Sequence, residues 1–167
     1  MFDPFEKRVS RDIRNQLCQS FLDALSQKDW TIVEKTACLL VKTAPDKDHI
    51  DFIHSRMTPY KLVFEKIFPV EADPLKTAWL LWDNALFFEC HEWVEELWLK
   101  AGGRSKKALQ AIIRTNGAHA LDEAGRRQAA ISSAQKAMAL VKEFRAQLPS
   151  PFHPDELITS LTSLLAK

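Results

Sequence analysis

The stretch FFECHEWVEELW, Phe87 to Trp98, sets one imidazole and four carboxylates among aromatic and aliphatic side chains. Acid–base or metal chemistry uses such groups, because imidazole titrates near neutrality and a carboxylate can orient it or share a cation with it. On a helix advancing about 100° per residue, with His91 at zero, Phe87 falls near −40°, Val94 near −60°, Glu95 near +40° and Trp98 near −20°. His91 and Glu95 are therefore expected on the apolar face, four residues apart and adjacent in space. The same count sends Glu89, Glu92, Glu96 and Lys100 to a polar stripe between about 100° and 180°, expected to face water.

Burying a charge costs several kcal/mol unless it is paired, so His91 and Glu95 need each other or a further partner. The following helix offers one. Its apolar face carries Leu109, Ile112, Ile113 and Ala120, and Asn116 interrupts that stripe, so Asn116 is expected to face the motif helix. Ala111, Gly117 and Ala118 are small enough to let the two helices approach.

Three readings of the pair follow. It is a satisfied buried pair that fixes helix packing, or a proton-transfer site with His91 as general base oriented by Glu95, or part of a metal site. A metal needs three or four ligands, and only His119 or Asp83 offers a third, so no resident cofactor is expected; a divalent metal on His91 and Glu95 is the alternative. HEWVE differs from the HExxH of zinc proteases in having Glu95 where the second histidine belongs, which removes a ligand. Trp79, Trp82, Phe88, Trp93 and Trp98 read as core, against an aromatic cage for a ligand.

The rest of the chain offers less. DKDHIDFIH places His49 and His54 about 140° apart on a helix, so both read as surface. The basic pieces RSKK and RR read as solvated faces, and neither a phosphate-cradling glycine loop nor a Ser/His/Asp order stands out.

Composition and punctuation supply the frame. Lys and Arg number 23 against 22 for Asp and Glu, a net charge of +1, which implies neither nucleic acid nor an anionic membrane as partner. No apolar run approaches the ~20 residues of a membrane span, and three cysteines without a close pair, each within an apolar helical pattern, suit a reducing cytoplasm. With 46% hydrophobic residues, four glycines and much Leu, Ala, Lys, Glu and Gln, the class is all-α. Helices are expected at about 4–26, from Asp29 through WTIVEKTACLLVK, at 47–56, from Thr58-Pro59 to Phe68, then at 74–84, 86–100, 105–123, 126–147 and from Asp155 to Leu165. Three parts follow: an N-terminal helical extension, 1–69, packed on the core; a small antiparallel bundle, 70–148, carrying the motif; and a C-terminal helix, 149–167.

At the motif the chain resembles a known family, domain of unknown function three hundred and nine, whose hallmark is HxxxExxW. His91, Glu95 and Trp98 carry that pattern, Phe88, Glu89, Glu92 and Gln110 stand where the family has motif residues, and the likeness covers roughly Pro74 to Phe144. Asp83 and Ala85 stand where the family has Asn and then Gly, and Arg114 where a second Gln is common; Ala in place of Gly disfavours a left-handed turn there. The resemblance implies a helical bundle and no assigned activity. The candidate centre is therefore His91 and Glu95, with Trp98, Asn116, Gln110 and Phe88 as ligand contacts. Function is either small-molecule or metal binding, including a hydrolase or isomerase, or a helical protein–protein interaction module whose polar pair is structural.

Overall fold

The computed structural model describes residues 1–67 and 73–167, and is all-helical over them: eight α-helices and a single 3₁₀ turn. The expected boundary between residues 69 and 70 and the expected end at Phe68 of the helix opened by Thr58-Pro59 lie outside the described residues. The chain divides into two compact units, Met1–Ala72 and Asp73–Lys167.

The first unit holds α1 (Arg8–Gln27), α2 (Thr31–Thr43) and α3 (Lys47–Ile67). Its core is Leu17, Phe21, Val33, Ile53, Tyr60 and Val63, with Phe21 and Tyr60 stacked at 3.9 Å. Burying each large apolar side chain contributes roughly 1.5–3 kcal/mol, and this holds helices whose own propensity is modest. Four expectations need correcting. Phe5 and Val9 are exposed, because residues spaced by four drift about 40° per step and a stripe begun at Leu25 has left the buried face by Val9. The two short helices over 47–68 are one, α3, which runs through Pro59. Pro59 cannot donate to Ser55, but Ser55 is exposed and water can satisfy its carbonyl, while Ile53, Tyr60, Val63, Phe64 and Ile67 keep one face buried across the break. Cys38 is exposed, whereas Cys18 is buried. His49 is buried, only 4% exposed, because it points back to α1 and meets Ser10; His54 is exposed as expected.

The second unit holds α4 (Pro74–Asp83), α5 (Phe87–Lys100), α6 (Gly103–Glu123), α7 (Arg127–Glu143), the 3₁₀ turn Arg145–Gln147 and α8 (Pro154–Ala166). Asp73 accepts the Leu75 N–H at 2.9 Å with Pro74 at the first helical position, which starts α4. At its other end Ala85 takes a left-handed φ of 55°, Leu86 N–H returns to Leu81 O at 2.9 Å and Ala85 N–H to Trp82 O at 3.0 Å. This is the glycine-type helix stop, made here by alanine, with Leu81 and Leu86 both fully buried as its hydrophobic contact. α6 packs against both α5 and α7. The α7 residues Ala130, Ala134 and Ala137 are fully buried, and their small side chains permit the close approach. Leu157, Leu161 and Leu164 are buried where α8 packs against α6 and α7, Phe152 before it meets Trp79 of α4 edge-on at 5.4 Å, and Arg127 ties the end of α8 by donating to Leu164 O at 2.6 Å. Among the described residues no helix is long and apolar enough to cross a membrane.

Candidate functional site

The turn at Ala85 and the buried Leu86 set how α5 enters the bundle. Leu86, Cys90 and Val94 are fully buried and Glu89 is 1% exposed, so the inner face of α5 centres roughly 100° from His91. Glu89, expected in the solvent stripe, is inside. His91 and Glu95, expected inside as a buried pair, lie on the rim with side chains 29% and 47% exposed. The apolar residues that define the face flank Cys90, and taking His91 as its centre rotates the helix away from them.

The rim position gives His91 a defined chemistry. Its Nδ1 lies 3.1 Å from the carbonyl oxygen of Ile113, and since a carbonyl only accepts, Nδ1 carries the proton and donates. Gly117, one turn further along α6, lies beside the ring, and a Cβ there would stand 3.6 Å from Nδ1, an ordinary contact. The lone pair of a neutral His91 is thereby fixed on Nε2. Nε2 lies 3.8 Å from Glu95 Oε2, too far for a hydrogen bond and close enough for an ion pair or a shared ligand. Glu92 completes the group: one ligand atom each from His91, Glu92 and Glu95 lie within 4.8 Å of one another, all part-exposed. The carboxylate that joins His91 and Glu95 is thus Glu92, which the helical count had sent to the solvent stripe.

Asn116 is fully buried, as its place in the α6 stripe required, and its neighbour on α5 is Cys90. Asn116 Nδ2 donates to Ile112 O at 3.0 Å, and Oδ1 finds no hydrogen-bond partner among the described residues. Cys90 donates to Ala78 O at 3.2 Å, and burial pushes its thiol far up, so it is inert. Trp98 is half-buried with the Lys106 ammonium 4.1 Å over its ring, a cation–π contact that draws RSKK onto the motif helix. Phe88 and Gln110 are half-buried.

His119 belongs to a different group. It stacks on Phe87 at 4.5 Å, meets Trp82 edge-on at 5.3 Å, and its Nε2 lies 2.7 Å from Ser160 Oγ. Burial holds it down to about 4, so it is neutral at pH 7. Elsewhere in this unit an apolar groove of about 360 Å³ is lined by Pro74, Leu75, Leu97, Leu109 and Pro149, with Asp73, Ser105 and Gln147 at its polar edges. Its lining includes none of His91, Glu92 and Glu95.

With this geometry in place, comparison with known proteins adds one finding. Residues 75–133 match the model of the family described as Domain of unknown function (DUF309). The motif region resembles that family. The DUF309 match runs from α4 into α7 and holds every candidate site residue, while the first unit and α8 lie outside it. No curated protein and no solved structure matches the chain. The DUF309 likeness therefore brings no chemistry, which rests on the side chains.

Proposed function

We propose that the DUF309-like unit binds one divalent cation through His91, Glu92 and Glu95. The observation that carries this reading is the convergence of the three ligand atoms, combined with the Nδ1–H bond to Ile113 that leaves Nε2 as the ligand nitrogen. One imidazole and two carboxylates suit borderline to hard ions such as zinc, manganese or iron(II). Three protein ligands on one accessible turn leave positions for water or an anionic small molecule, whose oxygen a bound cation would polarise. The three free cysteines fit a cytoplasmic setting for such a site.

The test is calorimetric titration of chelator-stripped protein with zinc and with manganese. We expect one equivalent to bind, with affinity falling at least about tenfold in His91→Ala, Glu92→Gln and Glu95→Gln and unchanged in Glu96→Gln, whose side chain is exposed outside the group. Binding that ignores all three substitutions, or none at millimolar cation, would refute the reading.

A second reading, an interaction module, draws on the groove lined by Leu97 and Leu109, which is apolar and separate from His91. The two readings part at Leu97→Asp, which would abolish capture of a partner helix and leave cation binding intact.

A further inference from the structure

We propose that Ser10, His49 and Asp46 of the first unit form a latent acyl-accepting serine site for small activated esters, closed by the N-terminal segment through Phe2. Ser10 Oγ lies 2.9 Å from His49 Nε2, and His49 Nδ1 lies 2.6 Å from Asp46 Oδ1. The direction of each bond follows from chemistry. The hydrogen bond from His49 holds the Asp46 carboxyl below its usual range, so it is a carboxylate and can only accept. In a neutral His49, Nδ1 therefore carries the proton, Nε2 presents its lone pair, and the Ser10 hydroxyl donates to it. The Ser10 oxygen in turn accepts the Asp3 N–H at 3.2 Å. This is the tautomer and the order of contacts that a serine nucleophile with a histidine base requires.

A helix cap alone would not need this arrangement. Asp46 caps α3 by accepting the His49 backbone N–H at 3.2 Å, and any side chain at position 49 would leave that bond intact. The imidazole goes further, linking the capping carboxylate to a hydroxyl on another helix. Ser10 sits in the first turn of α1, where the N–H groups of Arg8, Val9 and Ser10 have no intrahelical acceptor by position and can face a developing oxyanion.

The site is closed in this structure. Ser10 is fully buried and His49 nearly so. Phe2 stacks on Phe52 at 3.9 Å and meets the His49 ring edge-on at 5.3 Å, so this aromatic contact, with the Asp3 N–H, covers the pair. Once the segment lifts, the reaction balances without a co-reactant other than water. Ser10 Oγ bonds to the ester carbonyl carbon as its proton passes to His49 Nε2. The ester C–O bond then breaks and the departing alcohol takes that proton. Water next attacks the acyl carbon, gives a proton to His49 and releases the acid, and Ser10 recovers its proton. Asp46 touches no reacting atom and is a positioning residue.

The probe is a fluorophosphonate, which forms an Oγ–P bond on Ser10 with loss of fluoride, read by intact and peptide mass on the full chain. Phe2→Ala should acquire one adduct, on Ser10, at least about tenfold faster than the parent. Adding Ser10→Ala should abolish the adduct and adding His49→Gln should slow it at least about tenfold. Asp46→Asn keeps a competent cap but loses control of the tautomer, so in the Phe2→Ala background it should slow labelling by at least about tenfold while the protein stays folded by circular dichroism. If Phe2→Ala does not fold, the parent incubated for days takes its place and should label slowly on Ser10 alone. Folded protein that gives no adduct, an adduct on another serine, or a rate indifferent to His49→Gln would overturn the proposal.

Discussion

His91 donates its Nδ1 proton across the α5–α6 contact to Ile113 O, 3.1 Å away, with Gly117 beside the ring. A methyl group at Gly117 would meet Nδ1 at 3.6 Å, an ordinary contact, while removing the conformational freedom that glycine loses on folding. Gly117→Ala should therefore stabilise the unit by about 0.5–1 kcal/mol in urea denaturation and leave cation affinity unchanged. A loss of stability would mean that the ring has no room to give.

Ala85 sits at φ 55°, where an L side chain is strained and glycine is not. Replacing it by glycine should raise stability by about 1 kcal/mol, and Ala85→Val should lower it by more. Thermal denaturation of both variants checks the sign, and a destabilised Ala85→Gly would remove strain as the explanation.

His119 is depressed to about 4 from an ordinary 6.5, so between those values the unfolded chain binds a proton that the folded chain refuses. Its contribution is fully present above pH 6.5 and is lost as pH falls toward 4. At this part-exposed site the loss should be on the order of 1–2 kcal/mol after solvent screening. Asp122, held low by Lys167 and Arg127, loses its contribution in the same direction but through the carboxylate range. Denaturation from pH 7 to 4 should thus show a flatter profile for His119→Gln than for the parent, and identical slopes would refute the assignment.

Pro59 interrupts the hydrogen-bond ladder of α3 without ending the helix. Pro59→Ala restores a donor to Ser55 and removes the ring's clash, partly offset by a more flexible unfolded chain. The expected gain is about 1–2 kcal/mol for the first unit, read as its own transition by circular dichroism.

Helices were legible because prolines and Asp73 mark where chains of apolar residues start and stop; caps were less so, since α1, α5, α6, α7 and α8 start without a side-chain cap bond. The HxxxExxW motif was legible too, and it located the DUF309-like segment. The rotation of α5 was not, since a helical wheel needs an origin, and the choice of His91 misplaced Glu89 and Glu92 together. Nor was the Ser10, His49 and Asp46 contact, in which Ser10 and His49, 39 residues apart, meet by packing that no local pattern records. Ala85 shows the converse limit: the sequence argued against a left-handed turn, and buried Leu81 and Leu86 impose it.

In the second unit the principal helix pairs are neighbours along the chain: α4 with α5, α5 with α6, α6 with α7, and α7 with α8. Joining such elements closes only short loops, so little chain entropy must be lost before each contact forms. Its contact order is accordingly low, and folding can begin at any adjacent hairpin and spread in both directions, on the microsecond to millisecond scale of helical bundles.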